Sequence, residues 1–390
     1  MVEQLEHLFG LVQMRLMSGK RAVLAIAPTR PRERERDVPA ECDAASHELQ
    51  ILRTAYSRLA MRRLPAATAA ILATIAIGAC GGASHPGNGG QASAQTASLM
   101  LDFTPNAIHA GIYTALARHY DRRNGVNLQV RIPGESTDAV SLLAAGRVNF
   151  AILDIHDLAI ADAKGHDLVG IMALEQQPLA SVIAQPRITS PRRLDGQTVG
   201  VTGAPSDLAV LRSIVAGSGG RPSTLKTITI GYDAVPDLVA GRVAAATAFW
   251  NDEGVQLAGR HPPFHVFRVE DYGAPSYPEL IVCATRSELR RHPTLARRVV
   301  RTLVDGYDYL LRHPRAGERA LESQVSGLPA RAVGQQLAAE LPAFLPEGGG
   351  AYGALEPAVL SAWAKWEVKF GIVKRRPDLA AIFDRSFLPR

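Results

Sequence analysis

The 390-residue chain is poor in cysteine and lacks the common catalytic strings, and these shortages exclude several classes of protein. Its three cysteines, Cys42, Cys80 and Cys283, form no CxxC pair, which excludes a disulfide framework and a cysteine-based metal site. No GxSxG, HExxH or P-loop string occurs, which disfavours the enzymes that depend on them. We expect a protein that is not an enzyme and that has neither a cofactor nor a metal.

Concentrated positive charge and membrane-spanning apolar runs are lacking as well. The formal net charge is +6, but the arginines are scattered among acids without interleaved aromatics, so we expect no nucleic-acid partner. The apolar stretch at 64–79 is about fifteen residues long, too short to span a bilayer core of roughly 30 Å. Such a run is typical of a signal peptide.

Cys80 follows this apolar run directly and indicates which kind of signal peptide it is. Arg62 and Arg63 precede the run, and Gly78, Ala79 and Cys80 end it with the small-small-Cys shape of a bacterial lipoprotein cleavage site. We predict a signal peptide over residues 61–79 and lipidation of Cys80. The alternative is a buried apolar helix with an ordinary core cysteine.

Lipidation of Cys80 would also assign roles to the segments that precede the folded part of the chain. Residues 1–60 would be a disordered upstream extension ahead of the true initiator, Met61. Residues 81–96 are rich in Gly, Ser and Ala, and a flexible tether of this length reaches roughly 20 to 24 Å. We expect the protein in the cell envelope, anchored by lipid to the outer face of the cytoplasmic membrane.

From residue 97 onward, short apolar runs alternate with helical periodicity in two successive β-α-β-α-β sets, which predict parallel sheets. The first set has strands at 98–103, 126–131 and 149–153 and helices at 107–121 and 138–145. The second has strands at 198–201, 226–230 and 244–249 and helices at 207–216 and 235–240. The remainder is mostly helical, most clearly at 297–311, 330–341 and 357–370, with a further strand at 280–284.

The two sets share one sequence pattern, which we call the echo. Residues 143–153 match residues 238–250 in order and spacing, with a helix that ends at glycine and a strand that follows it. Chance similarity in an alanine-rich chain is the alternative. If the echo is structural, residues 154–156 and 250–253 face each other across two similar lobes, where small ligands bind.

Polar and aromatic residues concentrate where the first strand passes into the first helix. Asn106 and His109 would lie near the helix N-terminus, and each can donate and accept hydrogen bonds. The alternative is that Asn106 is only a helix cap and His109 an ordinary helical residue.

Burying Glu253 as an anion is costly unless the ligand supplies a donor or a cation, so an amine is favoured over an anion.

Four stretches together resemble the substrate-binding proteins of ABC transporters in the thiamine-pyrimidine-precursor class. They are DFTPNAIHAGIY (102–113), GESTDAVSLLAAGRVNFAI (134–152), VGVTGAPSD (199–207) and AFWNDEG (248–254). The class is related to riboflavin-, sulfonate- and nitrate-binding proteins and to fungal pyrimidine synthases. Phe103 is a departure, since the class commonly has tryptophan there.

The resemblance implies an α/β, periplasmic-binding-protein-like (type II) fold of two lobes with a ligand cleft between them and a helical C-terminal segment. Lobe I would comprise residues 97–185 and 281–390, lobe II residues 186–280, with hinges near 184–187 and 272–280. The function implied is that of a lipid-anchored, monomeric solute-binding component of an ABC importer, with a membrane permease as partner. Its solute would be a small heteroaromatic such as a thiamine pyrimidine precursor. Binding of riboflavin, sulfonate or nitrate, or synthase-like catalysis, are the alternatives.

By the same resemblance and by the echo, residues of both lobes would form the ligand site. The predicted ligand-binding residues are Phe103, Asn106, His109, Tyr113, Ser136, Thr137, Asp154, His156, Ser206, Trp250, Asn251 and Glu253.

Overall fold

The computed structural model describes residues 94–134 and 139–389. The predicted signal peptide, Cys80, most of the predicted tether, and Ser136 and Thr137 lie outside the described residues. Within the described part, no helix has the length and apolar character needed to cross a membrane.

The first lobe is built on a five-stranded mixed sheet. Its strands are β1 (Gln95–Met100), β2 (Val126–Arg131), β3 (Phe150–Asp154), β4 (Leu168–Ala173) and β10 (Leu280–Thr285). Their order is β2-β1-β3-β10-β4, with β1 parallel to β2 and β3. The strands of the first predicted set thus pair in parallel, as expected, whereas β10 runs antiparallel to β3 and β4 and makes the sheet mixed. The chain enters β10 on its return from the second lobe, from the opposite end of the sheet.

The second lobe repeats this plan. Its strands are β5 (Ala180–Ala184), β6 (Thr198–Val201), β7 (Lys226–Thr229), β8 (Ala245–Phe249) and β9 (His265–Arg268). The order is β7-β6-β8-β5-β9, with β6 parallel to its neighbours and β5 antiparallel to β8 and β9. Because β5 pairs in this sheet, the chain first crosses between lobes at residues 174–179 and not at the predicted 184–187. The return crossing lies within residues 269–279.

Helices flank both sheets and form the C-terminal segment. In the β-α sets they are α1 (Ala110–Ala117), α2 (Tyr120–Arg123), α3 (Ala139–Ala144), α4 (Ile155–Ala163), α5 (Asp207–Gly217), α6 (Ala234–Val239) and α7 (Glu253–Leu257). After β10 come α8 (Arg286–Arg291), α9 (Pro293–Arg312), α10 (Pro314–Gln324), α11 (Ala330–Glu340), α12 (Pro357–Lys369) and α13 (Leu379–Ile382). Short 3-10 turns occupy Ala107–His109, Pro191–Leu194, Pro222–Thr224, Val269–Tyr272 and Arg385–Phe387.

The predicted single helix at 107–121 is divided. It begins as a 3-10 turn capped by Asn106, continues as α1 and stops before His119, whose φ of 56° lies in the left-handed region. A right-handed helix cannot continue through a residue in that conformation, so α2 starts anew.

The long helix α9 holds the start of α1 in place. Its buried face includes Val299, Leu303 and Tyr307, spaced four residues apart as one apolar stripe requires. The hydroxyl of Tyr307 donates to the carbonyl of Ile108 at 2.6 Å. This packing anchors the turn that carries the polar residues after β1.

Candidate ligand-binding site

A cavity lies between the two lobes, at the ends of the central strands. Residues at or just after the carboxyl ends of β1 and β3 line it from the first lobe, and residues after β6 and β8 line it from the second. Its volume is about 130 Å³, roughly ten times what one water molecule needs. The cavity is therefore large enough for a small molecule, in the position where open α/β sheets bind ligands.

Acidic side chains dominate the polar part of the cavity wall. Among the described residues that line the cavity, none is lysine or arginine. A cationic or hydrogen-bond-donating ligand would therefore be stabilised there and an anion repelled. The acidic residues of the wall are Asp102, Asp154, Asp157, Asp207, Asp252 and Glu253.

Asp102 is held by the polar turn that follows β1. The backbone N–H of Asn106 donates to Nδ1 of His109 at 3.2 Å, so the neutral ring carries its proton on Nε2. That nitrogen lies 3.0 Å from Oδ1 of Asp102, to which it donates. His109 is fully buried behind the wall and orients Asp102.

The amide of Asn106 connects the lobes. Its oxygen accepts from the backbone N–H of Ile108 at 3.0 Å, and its Nδ2 donates to Oδ2 of Asp252 at 3.0 Å. Burial raises the pKa of Asp252, while hydrogen bonds from Gln256 and Asn106 oppose the rise. Asn106 thus caps the helix, as the alternative interpretation predicted, and also links the two lobes through a hydrogen bond.

Glu253 is a buried carboxyl of the second lobe, and Asp207 is a half-buried one. Burial and the neighbouring Asp252 raise the pKa of Glu253 to about 8, although its Oε2 accepts the backbone N–H of Phe249 at 3.0 Å. Asp207 accepts from the backbone N–H of Gly203 at 2.7 Å, and burial still raises its pKa. Asp207 also accepts from the hydroxyls of Thr202 and Thr247, so Glu253 is the carboxyl whose charged form a donor or cation from a ligand would stabilise.

Asp157 on α4 faces the second lobe. The backbone N–H of Ser206 donates to its Oδ1 at 3.0 Å, which joins the lobes across the cavity. Burial, together with the carboxyl of Asp154, raises the pKa of Asp157 to about 8.

Three aromatic rings supply the apolar faces of the cavity. Phe103 and Tyr232 meet edge to face with 4.4 Å between ring centroids, and Phe249 lines the same space. The rings come from the ends of strands in both lobes, so they can enclose a flat solute between them.

The structure brings four of the predicted ligand-binding residues to the cavity wall: Phe103, Asp154, Ser206 and Glu253. Asn106 and His109 lie one layer behind and hold wall residues in place. Ser136 and Thr137 lie outside the described residues. Direct contact of these eight residues with a ligand stays a prediction.

The other four predicted residues have structural partners away from the cavity wall. Tyr113 packs in the core of the first lobe. Trp250 donates from Nε1 to the carbonyl of Pro178 at 2.9 Å and lies under the guanidinium of Arg268. Asn251 donates to Oε2 of Glu340 at 2.7 Å.

His156 is fully buried behind Asp154 and contacts Oε1 of Glu367 through Nδ1. Burial lowers its pKa, but Glu367 and Asp154 outweigh this and raise the pKa to about 10.

Sequence reasoning left out most of the acidic wall. Asp102 and Asp207 stand inside the quoted motifs, Asp252 lies between two predicted residues, and Asp157 comes shortly after the motif at 134–152. The available signal was position, since each follows the end of a β-strand by a few residues. Tyr232, three residues beyond β7, had the same signal.

Two mixed α/β lobes joined by two crossings, with a cavity at the strand ends, define the periplasmic-binding-protein fold, as expected. A solved structure of this fold is the alkanesulfonate-binding protein SsuA from Xanthomonas axonopodis pv. citri bound to MOPS. It superposes with a TM-score of 0.58 over 76% of this chain and all of that one, at 16% identity.

The chain belongs to the NMT1/THI5-like family, whose model matches residues 106–317. It is 27% identical to the formylaminopyrimidine-binding protein of Halalkalibacterium halodurans over 56% of this chain and 68% of that one. It is also 23% identical to the 4-amino-5-hydroxymethyl-2-methylpyrimidine phosphate synthase of Legionella pneumophila, over 41% of this chain and 51% of that one. The family that the sequence motifs predicted is thereby confirmed.

Proposed function

We propose that this chain is the extracytoplasmic solute-binding component of an ABC importer and that it binds a small amino-substituted heteroaromatic, such as a pyrimidine precursor of thiamine. The observation that carries the proposal is a cavity between two lobes, lined by aromatic rings and carboxyls, with no basic side chain among the described wall residues. The similarity to a formylaminopyrimidine-binding protein supports the same class of solute.

The charge of the wall discriminates among the alternative solutes. A sulfonate or nitrate would meet the carboxyls of Asp102, Asp157 and Glu253 without a compensating cation on the described wall. An exocyclic amine would instead donate hydrogen bonds to those oxygens. The flat ring of the solute would lie against Phe103 and Phe249.

Binding would work by closure of the lobes. Contacts already join them: Asn106 with Asp252 and Ser206 with Asp157. A solute that contacts both walls favours the closed arrangement, because it gains all of its contacts only there. The crossing segments 174–179 and 269–279 would act as the hinge, and the closed form would dock on the permease.

We propose binding without chemical conversion. Cys283 is the one cysteine of the described residues; it is fully buried in β10, and burial raises its thiol pKa, which disfavours the reactive thiolate. Recovery of an aminopyrimidine unchanged after prolonged incubation, checked by mass spectrometry, is the expected result. A new product would favour the synthase alternative.

Calorimetry of the purified protein against aminopyrimidines, riboflavin, aliphatic sulfonates and nitrate tests the solute class. We expect an aminopyrimidine to bind more tightly than about 1 mM, which corresponds to roughly 4 kcal/mol, and the anions not to bind. Tighter binding of an anion, or no binding of any aminopyrimidine, would contradict the proposal.

Two variants test whether the acidic wall is responsible. Asp102→Asn and Glu253→Gln keep the shape but remove a carboxylate, and each should weaken aminopyrimidine binding by roughly tenfold, or about 1.4 kcal/mol. Glu356→Gln, at an exposed position before α12, is the matched control and should bind like the original protein.

A further inference from the structure

Behind the acidic wall, three side chains bring metal-ligand atoms together. Asp154, His156 and Glu279 each offer one atom, and these atoms lie within 4.8 Å of one another. Asp154 lines the cavity, whereas His156 and Glu279 are fully buried. The sequence predicts no metal here, because Glu279 is more than 120 residues away from the other two.

Two of the three residues bury a polar atom without a partner. Nε2 of His156 and Oε1 of Glu279 have no hydrogen-bond donor or acceptor partner of the usual kind among the described residues, although the carboxyls of Glu279 and Asp154 lie close enough to share a proton. Buried polar groups are nearly always paired, and one left unpaired costs on the order of 1–3 kcal/mol. A bound cation would give both atoms a partner and would take the place of the proton shared by the two carboxyls.

The remaining atoms of these side chains are held in place by the protein. Oε2 of Glu279 accepts the backbone N–H groups of Leu179 and Ala180, the latter at 3.0 Å. Oδ1 of Asp154 accepts the backbone N–H of His156 at 2.7 Å and caps α4. Each carboxylate is thus oriented through one of its oxygens.

The ring of His156 has the second-sphere partner that metal-bound histidines usually have. Its Nδ1 contacts a carboxylate oxygen of Glu367, and the indole Nε1 of Trp363 lies 3.2 Å from the same nitrogen. The rings of Tyr277 and Trp366 pack against it at 4.9 and 5.3 Å between centroids. A carboxylate on one ring nitrogen orients the other nitrogen toward a metal.

We propose that Asp154, His156 and Glu279 bind a divalent transition-metal ion at the back of the cavity. Zn²⁺ would displace the proton that His156 holds in the metal-free protein, after which one imidazole nitrogen and two carboxylate oxygens form a donor set that suits the ion. Bonds of about 2.0–2.2 Å place ligand atoms roughly 3–4 Å apart, so a small inward movement of these side chains completes the site. The cavity provides the access path and leaves a coordination position for water or a solute atom.

The test is metal binding by the full-length protein after treatment with EDTA. Equilibrium dialysis against Zn²⁺, with the metal measured by mass spectrometry, should give one tightly bound ion per chain. Co²⁺ in place of Zn²⁺ should give the visible absorption of a low-coordinate nitrogen and oxygen site. A protein that retains no Zn²⁺ would overturn the proposal.

Variants separate this site from adventitious binding at surface histidines. Asp154→Asn and His156→Gln should each weaken Zn²⁺ binding at least tenfold, whereas Asp167→Asn, at an exposed position, should not. Because His156→Gln removes a buried group that contacts Glu367 and Trp363, Asp154→Asn, at the cavity wall, is the decisive variant. Equal Zn²⁺ binding by Asp154→Asn and the original protein would refute the site.

The outcome is independent of the proposed solute. Zn²⁺ binding is measured without any solute, and the solute titrations can be repeated in EDTA. Failure of either experiment therefore leaves the other result standing.

Discussion

At the scale of single residues, the buried carboxyls decide how the protein responds to pH. The pKa of Glu253 rises from its ordinary value of 4.5 to about 8 because burial and Asp252 disfavour its charge. Asp157 and Glu340 are raised to about 8 as well, and His156 to about 10. In each case the folded state holds a proton that the unfolded chain has already released at lower pH.

We predict that the free energy of unfolding falls as the pH rises from 5 to 8. Across this window the folded protein must give up protons that its buried carboxyls retain, and each proton contributes a slope of up to about 1.4 kcal/mol per pH unit. Urea denaturation at pH 5, 6, 7 and 8 measures the slope.

Glu253→Gln identifies one source of this pH dependence. An amide cannot titrate, so the variant should lose less stability between pH 5 and 8 than the original protein, while Glu356→Gln should keep the original slope. Parallel profiles for Glu253→Gln and the original protein would show that Glu253 does not carry a raised pKa.

At the scale of secondary-structure elements, the contact between α1 and α9 depends on two glycines. A Cβ at Gly306 would lie 2.3 Å from the carbonyl oxygen of Gly111, and a Cβ at Gly111 would lie 2.3 Å from the ring of Tyr307. No real side chain tolerates such distances, so the absence of both Cβ atoms allows the helices to approach. The glycine of the predicted motif at 102–113 thus has a packing role.

We predict that Gly306→Ala destabilises the fold by about 1–3 kcal/mol, because the helices must separate to admit the methyl group. Gly254→Ala on α7 is the matched control: its nearest neighbours lie at 3.7 Å, an ordinary contact, so alanine should be neutral or slightly stabilising there. Thermal unfolding followed by circular dichroism compares the two. A Gly306→Ala protein as stable as the original would show that α9 can shift without cost.

Periodicity predicted the alternating elements well and missed strands that are buried on both faces. The strands at 126–131 and 198–201 are confirmed at their predicted limits. β4 and β5 were missed because every residue in them is buried, which removes the alternation of apolar and polar positions. Missing β5 also displaced the predicted lobe boundary, since β5 is the strand that enters the second sheet.

At the scale of the whole molecule, we propose a tethered receptor that closes around its solute. The helical C-terminal segment takes part in closure, since Glu340 of α11 accepts from Asn251, which follows β8 of the other lobe. The proposed lipid on Cys80 would hold this receptor near its permease.

We predict that Cys80→Ala releases the protein from membranes, because the alanine cannot carry the lipid. Cys42→Ala is the matched control and should leave the distribution unchanged, since residue 42 precedes the predicted signal peptide. Membrane fractionation with immunoblotting measures both. Membrane association that persists in Cys80→Ala would contradict lipidation.

The sequence by itself determined the family and the two β-α-β sets. These properties follow from local periodicity and from short motifs, which a chain carries wherever it folds. Only the tertiary structure decided which residues form the cavity wall. Trp250 and Asn251 turn toward other partners, while Asp102, Asp207 and Tyr232 converge on the cavity from separate strands. Such convergence depends on strand order and on the packing of distant segments, and no local pattern encodes it.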